Sequence, residues 1–241
     1  MRRTTDDPDA DARPRSTLDV AALTLRQRRL GYDITETPGT AAVLIGEHPK
    51  GLTLGRTASR LHVKLPAAEL HARDWPLTWV ARGGGVMLHL PGQVTCYPIL
   101  PLADFGLTPG GYVAALVELV ADVVATFDQP AEPDYESVTV RVRGRRVAHV
   151  GVAVSGGVTR FGFVLNTLVD LQPFNDVHAD CDPVPMTSLH RETTSRVTES
   201  AARRKVLDAL LRRFDLRRDA TATDGPFTLI HLSRYAHPDR R

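Results

Sequence analysis

Residues 82–93 have the composition of a loop that binds a ligand and moves a proton. They read Arg-Gly-Gly-Gly-Val-Met-Leu-His-Leu-Pro-Gly-Gln and follow a predicted strand at 77–81. Three consecutive glycines allow the backbone to approach a ligand and to turn its N–H groups toward it. Arg82 supplies a positive charge, and His89 supplies a group that exchanges a proton near neutral pH. A plain tight turn braced by the same two side chains is equally consistent with this sequence.

The two cysteines lie in different surroundings. Cys96 is inside an apolar run and is expected to be an inert core thiol, whereas the aspartates beside Cys181 disfavour burial. Two cysteines are too few for a disulfide framework, and neither has a metal-type cluster around it. His48, His178 and His190 also lack the spacing of a metal site. A reducing cytoplasm is therefore the expected location.

Length and composition indicate an ordinary globular protein. The 241 residues are 42% hydrophobic and 24% charged, which excludes disorder, collagen and coiled coil for the chain as a whole. Thirty basic and 28 acidic residues leave a formal charge of +2, so no polyanionic partner is implied. Neither a long apolar run nor a secretory pattern is found, so we expect a soluble, cytoplasmic protein.

Strands and helices alternate in the first half of the chain. Residues 1–15 are polar and of mixed charge, and we expect them to form a disordered tail. One helix is predicted to begin at Ser16–Asp19, and another at Thr108-Pro109, after which apolar residues recur at helical spacing. Buried strands are predicted at 40–45, 77–81 and 94–100.

In the second half of the chain, the sequence predicts further strands and one more helix. Residues 137–143 alternate between polar and apolar side chains, which predicts a strand with Val138, Val140 and Val142 facing inward. The apolar runs 147–154 and 158–165 flank two glycines and predict a hairpin. A helix with a basic solvent face is predicted within 203–218, and 227–232 is expected to be an edge strand. We therefore predict one α/β or α+β domain over 16–218, followed by an extension at 219–241.

Four separated motifs resemble octanoyltransferases of the lipoate-protein ligase B type, in the biotin and lipoate protein ligase superfamily. The family's Arg-Gly-Gly loop, His-Gly-Pro-Gly-Gln and Tyr-Pro strand correspond to residues 82–84, 89–93 and 97–100. Residues 47–56 resemble its upstream loop, and residues 158–166 its second signature strand. Cys181 lies where the family keeps its nucleophile, ahead of Met-Thr-Ser-Leu at 186–189. The resemblance extends over roughly residues 16–218.

The resemblance implies a fold and a two-step reaction. The fold would be a single domain with a mainly antiparallel mixed sheet and packed helices. The cysteine would take an octanoyl group from octanoyl acyl carrier protein as a thioester. The lysine of a lipoyl domain, on a 2-oxoacid dehydrogenase or glycine cleavage protein, would then accept it in lipoate biosynthesis. A covalent intermediate lets two protein substrates use one site in turn, with no metal, cofactor, nucleic acid or membrane implied.

Four positions depart from the family pattern. Arg146 occupies the position of the family's catalytic lysine, and an arginine can stabilise a thiolate or an oxyanion but cannot accept a proton. Phe161 replaces a histidine, and Leu90 replaces a glycine. Aspartates flank Cys181 where the family has Pro-Cys-Gly, and like-charge repulsion disfavours a thiolate there. All four changes lower the activity that the resemblance implies.

General-base chemistry then needs a group other than Arg146. On a regular strand the odd offset of His149 from Arg146 turns it to the opposite face, so His89 is the better candidate. The predicted catalytic residues are therefore Cys181, Arg146 and His89. The predicted substrate-binding residues are Arg82, Gly83, Gly84, Gly85, Gln93, Tyr97, Arg160, Phe161 and Gly162.

Two other functions are consistent with the sequence. A catalytically impaired member that still binds an acyl chain or a carrier protein would account for the four departures. An ATP-dependent lipoate ligase would need a lysine to bind its adenylate phosphate. Residues 82–93 contain no lysine, and the lysine expected on the later strand is Arg146.

Overall fold

The strands form two sheets in a computed structural model that describes residues 19–177 and 184–235. They are β1 (Thr40–Gly46), β2 (Gly51–Leu54), β3 (Leu77–Trp79), β4 (Val86–His89), β5 (Gln93–Ile99), β6 (Ala131–Asp134), β7 (Thr139–Val142), β8 (Arg145–Ser155), β9 (Val158–Asn166), β10 (Leu216–Asp224) and β11 (Phe227–Arg234). The larger sheet has the order β10-β11-β1-β5-β9-β8-β7-β6, with every neighbouring pair antiparallel. The smaller sheet, β3-β2-β4, contains the parallel pair β2–β3. The predicted mainly antiparallel, mixed α/β domain is confirmed.

Helices cover both faces of the larger sheet. The α-helices of the described residues are α1 (Val20–Thr35), α2 (Ala67–Ala72), which packs against the smaller sheet, α3 (Pro109–Ala125), α4 (Leu189–Glu192) and α5 (Glu199–Arg213). The apolar faces of α3 and α5 pack on one side of the sheet and form the largest core cluster. On the opposite side, Leu30 and Ile34 of α1 pack against Leu44 and Ile99 of the sheet. The smaller sheet has its own core, which includes Leu52 and Trp75.

Side-chain caps fix where the long helices begin. Thr108 caps α3 by accepting a hydrogen bond from the Gly111 N–H, and Pro109 stands at the first helical position, as the sequence predicts. Asp19 caps α1 through the Ala22 N–H, and Thr198 caps α5 through the Ala201 N–H. These side chains satisfy backbone donors that helix geometry leaves unpaired.

Several predicted boundaries differ from the structure. Strand β7 begins at Thr139, because Val138 has φ 55° and belongs to the preceding turn. Helix α5 ends at Arg213, and the chain turns at Asp215 (φ 51°) into strand β10. The segment 227–232 is not an edge strand, since β11 lies between β1 and β10. Residues 219–234, which the sequence predicts to lie in an extension after the domain, form strands of the larger sheet.

Some predictions concern residues outside the described part of the chain. These are the tail at 1–15, the start of the first helix at 16–18, and residues 178–183, which include Cys181 and its two aspartates. Within residues 19–177 and 184–235, no helix is long and apolar enough to span a membrane.

Candidate active site

The glycine loop is held in place by the buried Arg82. Its guanidinium donates to the Thr53 carbonyl (2.8 Å), the Thr53 hydroxyl (3.0 Å) and the Gly83 carbonyl (3.0 Å). The Gly83 N–H in turn donates to the carbonyl of Val152 on β8 (2.8 Å). Arg82 therefore braces the loop between β2 and β8.

Two glycines outside the loop make this packing possible. A Cβ on Gly151 would lie 3.1 Å from Cδ of Arg82, and a Cβ on Gly55 would clash with the Gly84 carbonyl. Gly84 itself has φ 82°, which suits glycine. Only residues without a side chain let the loop and its arginine lie this close to β2 and β8.

His89 and Gln93 are buried among polar partners behind the loop. The Nε2 atom of His89 lies 3.0 Å from the Thr53 hydroxyl, and its ring lies 4.5 Å from that of His48. Burial, followed by the neighbouring His48 and Arg82, holds the pKa of His89 well below its usual range. Gln93 accepts from the Leu90 N–H and donates to the Asn166 side chain. Neither His89 nor Gln93 faces the first cavity described below.

The first cavity lies between α1, the glycine loop and the larger sheet. Tyr97 and His48 form its polar part, with the Tyr97 hydroxyl 2.8 Å from Nε2 of His48. Burial lowers the pKa of His48 to about 3, so the ring is neutral. The lining residues are Val20, Leu23, His48, Thr53, Arg82, Met87, Tyr97, Gly151, Phe161, Gly162, Phe163 and Val164. The cavity is narrow, with room for about one water molecule.

Strand β9 is irregular where it borders this cavity. Phe161 has φ 60°, and its N–H donates to Oε1 of the buried Gln27 on α1 (2.6 Å). Gly162 lies against the Cys96 carbonyl, where any side chain would clash. Residues 161–164 all contribute to the lining. Because the backbone leaves the regular pleat at Phe161, its side chain packs in the cluster on the α1 side, whereas that of Phe163 packs in the cluster under α3 and α5.

The prediction that His149 and Arg146 point to opposite faces is wrong. Val140 pairs with Ala148 while Arg141 pairs with Arg146, so Val147 is an extra residue in β8. Such a β-bulge breaks the alternation of side chains along a strand. Val147 and Ala148 both enter the core under α3, and Arg146 and His149 both line the second cavity.

The second cavity is bordered by positive charge. Arg146 is only 1% exposed, and the cavity has room for little more than one water molecule. Burial, followed by the positive charges of Arg82 and Arg146, lowers the pKa of His149 to about 3, so His149 is neutral. A Cβ on Gly84 would lie 3.2 Å from Nε2 of His149, which places the glycine loop beside this imidazole. The lining residues are Val86, Met87, Leu88, Gln93, Arg146, Ala148, His149, Val164, Asn166, Phe174, Val177 and Met186.

The described residues on both sides of 178–183 line this second cavity. Val177 bridges to Val63, and Phe174 and Val177 contribute to the lining. On the other side, the Arg146 N–H donates to the Pro185 carbonyl and the Thr187 N–H donates to the Arg146 carbonyl, both at 2.9 Å. Cys181 belongs to the chain between these anchors and lies outside the described residues.

The predicted site residues thus fall into separate groups. Tyr97, Phe161 and Gly162 line the first cavity with Arg82, whereas Arg146 and Gln93 line the second. Gly83, Gly84 and Gly85 form the loop behind them, and Arg160 is half-buried beside Arg28 of α1. Cys96 is fully buried, and burial raises the pKa of its thiol, as expected for a core residue.

His48, Thr53 and His149 line the cavities but were not among the site residues predicted from the sequence. His48 and Thr53 lie within the motif at 47–56, so that motif already carried a signal for them. His149 is different, because its orientation depends on the bulge at Val147, and no local residue type marks that bulge.

The fold and the site define a mixed α/β protein with two small, adjoining, mainly apolar cavities, each of which is bordered by a buried arginine. Residues 22–211 match the family "Lipoyl protein ligase A/B catalytic domain". The chain is similar to an octanoyltransferase of Syntrophobacter fumaroxidans (37% identity; 72% of this chain, 76% of the relative). It is also similar to one of Roseiflexus sp. (32% identity; 90% and 95%).

A solved structure agrees in fold. It is the bipartite lipoate protein ligase of Thermoplasma acidophilum, studied with its E2 lipoyl domain (TM-score 0.56, 13% identity; 78% of each chain covered). The present chain belongs to the lipoyl protein ligase A/B family, and it is an enzyme of the acyltransferase class.

Proposed function

We propose that the chain is an octanoyltransferase of lipoate biosynthesis that works through a thioester on Cys181. The thiolate attacks the carbonyl of octanoyl acyl carrier protein and forms a new C–S bond, while the bond to the carrier's sulfur breaks and that sulfur leaves as a thiolate. The ε-amino group of a lysine on a lipoyl domain then attacks this acyl-enzyme. An amide forms, the Cys181 sulfur leaves, and the proton of the amine passes to a base.

The pair of adjoining cavities is the observation that carries this proposal. Met87 and Val164 belong to both linings, so these two side chains separate neighbouring spaces. A methionine side chain is unbranched and flexible, which makes Met87 the part of the lining that yields most readily to an acyl chain. The chain would then lie among apolar side chains with its carbonyl end near Arg146 and His149.

Arg146 and His149 have complementary chemical abilities at that end. The guanidinium of Arg146 keeps its charge at any working pH and can stabilise a thiolate or an oxyanion. It cannot accept a proton, whereas the neutral imidazole of His149 can. We assign charge stabilisation to Arg146 and the proton of the incoming amine to His149, whose low pKa makes it a weak base until the negative charge of the tetrahedral oxyanion favours its protonated form. His89 is less suited, because the second cavity is lined by His149 and not by His89.

The experiment is intact-mass spectrometry after incubation with octanoyl acyl carrier protein. The parent chain should gain one octanoyl mass, and hydroxylamine should remove it. The only other cysteine, Cys96, provides the matched control because it is buried in the core. Cys96→Ala should keep the label, and Cys181→Ala should lose it.

A second function, binding of an acyl carrier without catalysis, is favoured by Arg146 at the family's lysine position. It predicts tight binding of octanoyl acyl carrier protein with no added mass on the parent chain. An equal label on Cys181→Ala and the parent would instead show that the thioester assignment is wrong.

A further inference from the structure

The exposed face of α1 combines cations with large apolar side chains. Leu25 and Tyr32, two helical turns apart, are each 68% exposed. Arg28 and Arg29 lie between them and are also exposed. Within the described residues, neither arginine has an ion pair with a carboxylate. Exposed tyrosine and arginine beside apolar residues are typical of protein–protein interfaces.

Strand β9 adds a further cation to this face. Arg160 is half-buried, and burial together with the nearby charge of Arg28 lowers the pKa of its guanidinium. Cations held close together without a carboxylate between them repel each other, so an acidic partner would relieve that repulsion. Asp33 lies one helical turn after Arg29, but it forms no ion pair with Arg28 or Arg29, and Glu36 follows the last residue of the helix. We call Leu25, Arg28, Arg29, Tyr32 and Arg160 the α1 surface.

The α1 surface belongs to the same helix that closes the first cavity. Val20 and Leu23, near the start of α1, line that cavity, and Gln27 bonds to the Phe161 backbone. A protein seated on the outer face of α1 is therefore one helix diameter from the cavity, about 10 Å. That distance is within reach of a flexible arm that carries an acyl group.

We infer that the α1 surface docks an acidic acyl carrier protein, the donor of the octanoyl group. This inference rests on the proposed function, because the donor is named by that reaction. Charge favours the donor over the acceptor. A carrier protein brings acidic side chains and an arm joined through a phosphodiester. The acceptor instead presents a lysine ammonium, which the three arginines of the surface would repel.

The test compares two double variants with the same change of net charge. Arg28→Glu/Arg29→Glu reverses the α1 surface. Arg204→Glu/Arg212→Glu reverses two exposed residues of α5, on the opposite face of the sheet. Each is assayed with octanoyl acyl carrier protein and with a small octanoyl thioester of N-acetylcysteamine, which has neither carrier nor phosphate. Binding of fluorescently labelled carrier protein is measured separately by anisotropy.

The α1 variant should raise the KM for the carrier by about tenfold or more at low ionic strength, with a smaller effect at high salt. Its reaction with the small thioester and all properties of the α5 variant should match the parent. Equal losses with both donors, or equal losses in both variants, would overturn the inference. So would a defect confined to transfer onto the lipoyl domain, which would assign the surface to the acceptor.

Failure of the proposed function can be told apart from failure of the docking surface. If the parent chain is acylated by neither donor, the proposed reaction is wrong. In that case the anisotropy measurement still tests whether the carrier protein binds at the α1 surface. Weaker carrier binding only in the α1 variant supports the surface, and unchanged binding overturns it.

Discussion

At the scale of single residues, Arg146 and His149 stand together where the family resemblance expects one lysine. Arg146 is buried and permanently charged, and His149 is buried and kept neutral by its surroundings. A lysine can do both tasks, because it loses its proton when its pKa is lowered. The pair separates electrostatic stabilisation from proton transfer, so the two half-reactions should respond differently to substitution.

Replacing Arg146 with lysine should favour the second half-reaction. Lysine restores a residue that can accept the proton of the acceptor amine, and general-base assistance contributes about 10²- to 10⁴-fold. We expect Arg146→Lys to raise the rate of transfer to a lipoyl domain more than the rate of Cys181 acylation. Single-turnover measurement of each half-reaction checks this. An unchanged or lower transfer rate would mean that the arginine already suffices.

Removing the His149 imidazole should have the opposite effect. His149→Ala should slow transfer by about 10²-fold or more and leave acylation closer to the parent rate, because Arg146 still stabilises the thiolate. In the double variant Arg146→Lys/His149→Ala, the new lysine should recover part of the lost transfer rate. Equal slowing of both half-reactions by His149→Ala would argue for a purely structural role of the imidazole.

At the scale of elements, departures from regular strands determine what faces the cavities. The bulge at Val147 turns Arg146 and His149 to one side of β8, and the irregular backbone at Phe161 (φ 60°) places Phe161 in the cluster on the α1 side while Phe163 packs under α3 and α5. Helix α4 then secures the chain after residue 183. Its last residue, Glu192, accepts hydrogen bonds from Arg143 and Arg145 in the β7–β8 turn and from the Thr187 hydroxyl.

Stability should therefore depend on the charge of Glu192. Hydrogen bonds from Arg145, opposed by burial and assisted by Thr187 and Arg143, lower its pKa from 4.5 to about 2. Because the pKa of Glu192 is lower in the folded state than in the unfolded state, its charge stabilises the fold at any pH above the unfolded-state pKa. That stabilisation is lost as the pH falls toward 2. The shift corresponds to about 3 kcal/mol. Glu192→Gln should cost about this much at pH 7, measured by urea unfolding.

The cost of Glu192→Gln should shrink between pH 4.5 and pH 2, where the parent carboxylate also becomes neutral. Urea titrations of parent and variant across that range provide the check. Exposed Glu132 is a suitable control, since Glu132→Gln should leave stability nearly unchanged at every pH. A Glu192→Gln cost that does not vary with pH would show that packing, and not charge, accounts for the effect.

At the scale of the whole molecule, the C-terminal hairpin completes the larger sheet. Strand β11 pairs with β1 along its whole length, from Thr40↔Ser233 to Gly46↔Phe227. Ile230 and Leu232 of β11 are buried in the cluster that α3 and α5 cover. The same hairpin contributes Phe227 to the cluster on the α1 side, where its ring stacks on Tyr97. Residues beyond 218 thus join both core layers.

Substitutions in the hairpin should show this contribution to stability. Ile230→Ala should cost about 2–5 kcal/mol, since it removes buried methyl groups from a packed core. The cross-strand partner Thr221 is exposed, and Thr221→Ala should stay within about 0.5 kcal/mol. Thermal and denaturant unfolding provide the measurement. A near-neutral Ile230→Ala would mean that the hairpin folds independently of the rest of the domain.

Local chemistry in the sequence determined the elements whose signals are short in range. Thr108-Pro109 specified the start of α3, and the glycines at 156 and 157, both with positive φ, specified the β8–β9 hairpin. The motifs at 47–56 and 82–93 marked the neighbourhood of the site. Caps, turns and glycines act through the residues beside them, so the sequence alone was sufficient for these features.

Only the tertiary structure decided which side chains share a cavity. The bulge at Val147 results from the register of β8 on β7, and that register depends on strands far apart in sequence. Arg82 became a brace because Gly55, just after β2, and Gly151, on β8, leave room for it. The final hairpin joined the sheet through pairing with β1, nearly 190 residues earlier. Such outcomes depend on long-range packing, which no local pattern encodes.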